Sequence, residues 1–187
     1  MAVQLVYETH SFSIDNERGI ATGRLPGALS ERGRLLAQAL GERRRDDGIA
    51  CVLTSDLHRA VETADIAFAG SAIERRQDPR LRECDYGELN GARVEALEPR
   101  LRFVDAPFPG GESYHDCCAK MRSALDDIVR EFDGRRILMI AHSAQRFALR
   151  HLLEGVPLED LVDAPFEWQE GWEYVVPSPW SRAAGST

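Results

Sequence analysis

The chain has 187 residues, 43% hydrophobic and 29% charged, with a net charge of −8. That length carries one domain with a sizeable core, and the acidic balance excludes a broad nucleic-acid or anionic-membrane surface, though not a small basic pocket. No apolar run approaches a membrane span. The four cysteines, Cys51, Cys84, Cys117 and Cys118, lack metal-ligand spacing, so a reduced, cytoplasmic setting without a leader is the expectation.

In chain order, "AVQLVYET" reads as the first strand, and "LSERGRLLAQALGERRR" as a helix with Ser30 at its N-cap. Leu35, Leu36, Ala39 and Leu40 form its expected apolar face. "IACVLTS" is a short buried strand and "DLHRAVETADIAFA" a second helix. From Glu112 to Phe132, apolar residues recur at three- and four-residue steps, from Tyr114, Cys117 and Cys118 through Met121 to Phe132. "RILMIAH" is too apolar to have a solvated face and belongs in mid-sheet. "SAQRFALRHLLEG" follows as a helix stopped by Gly155, and "WEYVV" is the last strand. Alternating strands and helices predict a three-layer α/β/α sandwich with a mostly parallel central sheet. Residues 1–176 form the domain, and 177–187 a loose tail.

Ligands of such sheets sit beyond the carboxyl ends of the strands. That rule selects His10, Ser55 with Arg59, and His142, so two histidines and one arginine converge by topology.

The segments around these residues resemble the histidine phosphatase superfamily, the phosphoglycerate mutase-like family, over nearly the whole chain. With His10 on the family's first histidine, Asn16, Gly19 and Gly23 of "HSFSIDNERGIATG" fall in register. "SDLHRAVETA" resembles the segment carrying a phosphate-binding arginine, here Arg59. "LRECDYGELNG" resembles the one carrying the acid, here Glu83, and "FPGGES" and "IAHSAQRFAL" resemble the last two motifs, the latter with His142. The resemblance implies His10 as nucleophile, Arg59 and His142 stabilising the phosphoryl charge, and Glu83 as general acid and then base. Glu83 must then hold its proton near neutral pH. The resemblance implies no metal and no cofactor. Asn16, Gly23, Thr9, Ser11 and Ser143 line the expected substrate pocket.

The chain departs from the family at both histidines. Arg-His-Gly is replaced by Thr9-His10-Ser11, the following glutamate by Phe12, and His-Gly-Gly by His142-Ser143-Ala144. Loss of one charge-assisted bond to an anion costs roughly 1.5–3 kcal/mol. Arg146, four residues after His142, is the candidate substitute for the missing arginine, and Glu8 shares a strand face with His10. A second register, with Tyr7, Glu8 and His10 on the family's arginine, histidine and glutamate, requires an insertion before Asn16.

The expected activity is metal-independent hydrolysis of a small phosphate monoester through phospho-His10. The short segment between Glu83 and "PGGES" favours hydrolysis over mutase chemistry. Two alternatives stay open: an anion-binding or regulatory domain with weakened catalysis, and altered chemistry on a less charged substrate, to which Thr9 is suited. A small phosphorylated molecule is the expected partner, with a homodimer open. The segment 93–108 and the part from Phe166 to Tyr174 are expected to shape the pocket mouth, although Phe103, Phe108, Trp168 and Trp172 fit core packing as well.

Overall fold

The computed structural model describes residues 1–180. Five strands form one sheet: β1 (Ala2–Thr9), β2 (Cys51–Thr54), β3 (Glu74–Gln77), β4 (Arg136–Ala141) and β5 (Trp172–Pro177). Their order is β3-β2-β4-β1-β5, with every pairing parallel except β1 against β5. The helices are α1 (Ile14–Arg18), α2 (Glu31–Arg44), α3 (His58–Ala67), α4 (Tyr114–Phe132) and α5 (Ser143–Glu154).

Alternation along the strands sends side chains to two separate cores. Leu5, Tyr7, Leu53, Ile137 and Met139 join α4 and α5, whereas Val6, Val52, Leu138 and Ile140 join the α2–α3 side. The result is an α/β/α sandwich with both sheet faces covered, which is why β2 and β4 are apolar on both faces. The stripe on α4 is buried throughout, from Tyr114 to Phe132.

Two elements differ from their sequence expectations. Leu35 is exposed, and α2 instead buries Gly33, Ala37, Leu40 and Gly41. A Cβ on Gly33 would stand 1.9 Å from the carbonyl oxygen of Phe12, and one on Gly41 would stand 2.1 Å from that of Ala67. Helix α2 therefore docks backbone to backbone on a face of small residues that a hydrophobic count overlooks. The second difference is at the carboxyl end. Pro177 still pairs with Ala2, and the Ser178 N–H donates to the Met1 carbonyl at 3.1 Å. The expected tail therefore starts inside the sheet, because β5 continues along β1 to its first residues. The rest of that expected tail, 181–187, lies outside the described residues.

No helix among the described residues is long and apolar enough to cross a membrane.

Candidate active site

His10 leaves the end of β1, with its N–H donating to the Ala141 carbonyl at 2.9 Å, while His142 follows β4 as the N-cap of α5. Adjacent parallel strands thus deliver both imidazoles to one sheet edge, with ring centroids 5.1 Å apart. Nδ1 of His10 lies 2.7 Å from the Ser11 carbonyl oxygen. A carbonyl only accepts, so Nδ1 carries the proton and Nε2 presents a lone pair. Nε–H of Arg59 donates to that lone pair at 3.2 Å. The remaining guanidinium nitrogens of Arg59 bond the carbonyls of Leu25 (2.9 Å) and Gly23 (2.8 Å), so the buried cation is clamped to the loop before α2.

His142 is fully buried and its Nε2 lies 2.6 Å from Ser55 Oγ. Ser55 Oγ also accepts the Leu57 N–H at 3.3 Å, and when its own hydrogen turns to Nε2 the imidazole proton sits on Nδ1. That Nδ1 is buried and has no partner among the described residues. Tyr7 supports the same residue from below, its hydroxyl donating to the His142 carbonyl. Burial and the nearby Arg59 charge push His10 down to about 3, against a smaller opposing effect of the Ser11 carbonyl. His142 is held well below its usual range by burial, then Arg59, His10 and Arg24. Both imidazoles are therefore neutral at pH 7.

Glu83 is 7% exposed. Its Oε1 accepts the N–H groups of Cys84 (2.9 Å) and Ala144 (3.1 Å), the second in the first turn of α5. The other carboxylate oxygen makes no hydrogen bond among the described residues and is available for proton exchange. Behind it, Cys84, Glu112 and Cys117 bring ligand atoms within 4.8 Å of one another, a cluster that spacing alone did not reveal. The Glu112 carboxylate is already engaged by Arg24 and Lys120, and the Cys84 thiol is pushed up by its neighbour Cys117 and by burial.

The remaining expected residues distribute unevenly. Asn16 closes a capping box with Ser13, which occupies Oδ1 and leaves Nδ2 for a ligand. Gly23 has φ +52, and a Cβ there would meet Asn90 Oδ1 at 1.9 Å, so only glycine fits this turn. Ser11 is buried, its N–H donating to Thr63 Oγ1 at 3.0 Å.

Two cavities meet at His10. One, of about 140 Å³, holds Glu83, Arg59, Gly23 and Thr22. The other, of about 340 Å³, holds Thr9, Ser11, Phe12 and Glu8 with Leu36, Phe166 and Trp168. His10, Asn16, Arg100 and Ser143 line both.

Arg146 does not join them. Its guanidinium stacks 4.7 Å over Trp172 and 5.4 Å from Phe166, and it opens on a separate surface cavity with Arg150 and Tyr174. The turn of α5 directs it toward Trp172 of β5, and it lines neither of the two cavities at His10. Arg100, which sequence reading left unnamed, lines both cavities at His10. Its side chain has no carboxylate partner among the described residues, only a 3.4 Å contact with the Val162 carbonyl, and its Nε is unpaired. In a chain whose cations are almost all arginines, no spacing marks this one.

The fold and the paired histidines are those of a phosphoryl-transfer family. Residues 8–176 match the model of the histidine phosphatase superfamily, branch 1, and the chain belongs to that superfamily. It is 30% identical to the probable phosphoglycerate mutase GpmB of Erwinia tasmaniensis over 164 residues, covering 83% of this chain and 76% of the relative. Among solved structures it resembles Bacillus stearothermophilus YhfR, with TM-score 0.79, 28% identity, and coverage of 90% of this chain and 88% of that one. It also resembles a mycobacterial glucosyl-3-phosphoglycerate phosphatase in complex with VO3, with TM-score 0.73, 30% identity, and coverage of 84% and 85%. The superfamily relatives thus include both phosphatases and mutases.

Proposed function

We propose that this chain is a phosphatase that hydrolyses a small phosphate monoester through a phosphohistidine at His10, without needing a metal. The observation that carries the reading is the neutral His10 ring, its Nδ1–H fixed by Ser11 and its Nε2 lone pair facing Arg59 in the cavity that holds Glu83.

In the first half-reaction the Nε2 pair attacks phosphorus, a P–N bond forms, and the P–O bond to the alcohol breaks. The leaving oxygen takes a proton from Glu83. Arg59, Arg100, the Nδ1–H of His142 and the amide of Asn16 are the donors that offset the phosphoryl charge. In the second half-reaction water attacks phosphorus and gives a proton to the Glu83 carboxylate. The P–N bond breaks, its electron pair returns to Nε2, and phosphate leaves. The four buried, free cysteines suit a reducing, cytoplasmic setting.

A second reading, anion binding without turnover, is favoured by Thr9 and Ser11 standing where the family has arginine and glycine. One experiment separates the two: a panel of phosphate monoesters with chelator present, run beside His10→Ala. Phosphate release by the parent chain and none by the variant supports the phosphatase. Background rates throughout, with phosphate still bound, support the binding domain.

A further inference from the structure

The two cavities at His10 are chemically unequal. Glu83 and Arg59 line only the smaller one, so the leaving group, which must reach the proton donor, belongs there. In a monoester the leaving group is the whole organic part of the molecule. The larger cavity, of about 340 Å³, is lined by His142 as well as by His10, Asn16, Arg100 and Ser143, so the phosphoryl group borders it, and the rest of its space, along Thr9, Leu36 and Trp168, would then have no occupant.

Its walls show what fits. Phe12, Leu36, Phe166 and Trp168 are apolar or aromatic, and Phe166 and Trp168 are 51% and 49% exposed at its mouth. Its charged groups are Glu8, Arg43 and the shared Arg100. Glu8 is buried and holds Arg44 at 3.0 Å, while Arg43 lies 3.5 Å from Glu8 and 3.8 Å from Glu170. No cation of its own is therefore left for a second oxyanion. Thr9 also lines this wall. An arginine there would add a charge and fill part of the space. Its absence removes both at once.

We propose that this site also cleaves phosphodiesters, or equivalent singly charged phosphoryl compounds, whose second substituent is aromatic or bulky and apolar. This activity rests on the phosphohistidine reading above and changes only what phosphorus carries. The retained substituent occupies the Thr9–Trp168 cavity, and the leaving group faces Glu83. Attack by His10 Nε2 forms P–N and breaks one P–O bond, with the proton going from Glu83 to the departing oxygen. Water then breaks P–N, returns a proton to Glu83, and releases the monoester of the retained group. Thr9 brings no charge to the wall beside His10, which suits a singly charged phosphoryl centre.

The test compares two probes with the same leaving group, 4-nitrophenyl phosphate and 4-nitrophenyl phenylphosphonate, on the full chain with chelator present. The wild-type chain should turn over the phenylphosphonate with a kcat/KM at least as high as that for the monoester, and His10→Ala should remove both activities. Trp168→Ala, at an exposed loop position tolerant of change, should lower the phenylphosphonate-to-monoester ratio of kcat/KM by about tenfold. Thr9→Arg should lower the same ratio by a similar or larger factor. Turnover of the monoester alone, or a ratio that neither substitution moves, overturns this proposal and leaves the phosphatase reading standing. Release of nitrophenol from neither probe overturns both.

Discussion

Nε–H of Arg59 and Nε2 of His10 face each other across 3.2 Å. The contact matches the tautomer that the Ser11 carbonyl sets, with the lone pair on Nε2, and it places a permanent positive charge where a phosphoryl group would develop its bond. The arginine can hold that place because the carbonyls of Gly23 and Leu25 anchor its other end. Lysine cannot make all three contacts. Arg59→Lys should therefore lower kcat/KM for phosphate esters by roughly a hundredfold, about 2.7 kcal/mol of transition-state stabilisation. Steady-state kinetics of the variant, with circular dichroism to confirm folding, makes the check.

Glu83 is offered as the proton donor to the leaving group, so its removal should matter in proportion to how poor that group is. For an alkyl phosphate, Glu83→Gln should reduce kcat by roughly 10²- to 10⁴-fold, whereas 4-nitrophenyl phosphate, whose phenolate leaves unaided, should lose far less. Equal losses on both esters would assign Glu83 to holding α5 through the Ala144 N–H instead.

Acid should destabilise the fold through the histidines. His10 is pushed down to about 3 and His142 also well down, while the unfolded chain titrates near its ordinary value of 6.5. Below that value the unfolded state takes up protons that the folded state refuses, so stability falls as pH drops. The loss approaches about 1.4 kcal/mol per pH unit for each such histidine. Urea denaturation at pH 7.5 and 5.0 should show a smaller decrease for His10→Asn than for the parent. Nitrogen-15 NMR should find Nε2 of His10 unprotonated at pH 5.5.

Arg100 and Arg146 should separate cleanly. Arg100→Ala should raise KM for a phosphate ester by about tenfold, since it removes a cation from the shared rim. Arg146→Ala should leave kcat/KM within about twofold while costing roughly 1 kcal/mol of stability, from its lost stacking on Trp172. Thermal melts and kinetics on the two variants decide this pair.

The chain states much of its architecture and only part of its site. β4 was legible because a buried strand is a short apolar run, and α4 because its stripe runs the length of a nineteen-residue helix. β3 carries Glu-Arg-Arg-Gln with every residue exposed, and its pairing with β2 is a tertiary outcome that periodicity does not report. At the site, His10, Arg59, Glu83 and His142 lie in local motifs or at strand ends. The larger cavity is assembled from Thr9, Leu36, Arg100 and Trp168, which are far apart in sequence, so no local pattern could announce it. Arg146 shows the converse: its distance from His142 in the chain was suggestive, and the turn of the helix aims it elsewhere.

In the proposed reaction His10 takes the phosphoryl group onto its own nitrogen. The most direct measurement is rapid quenching of the chain with a turning-over ester under conditions that preserve phosphoramidates, followed by peptide mass spectrometry. The peptide containing His10 should carry one added phosphoryl group, formed at or above the turnover rate and absent from His10→Ala. Turnover with no phosphoryl group on His10, or with the group on another residue, would contradict that reaction.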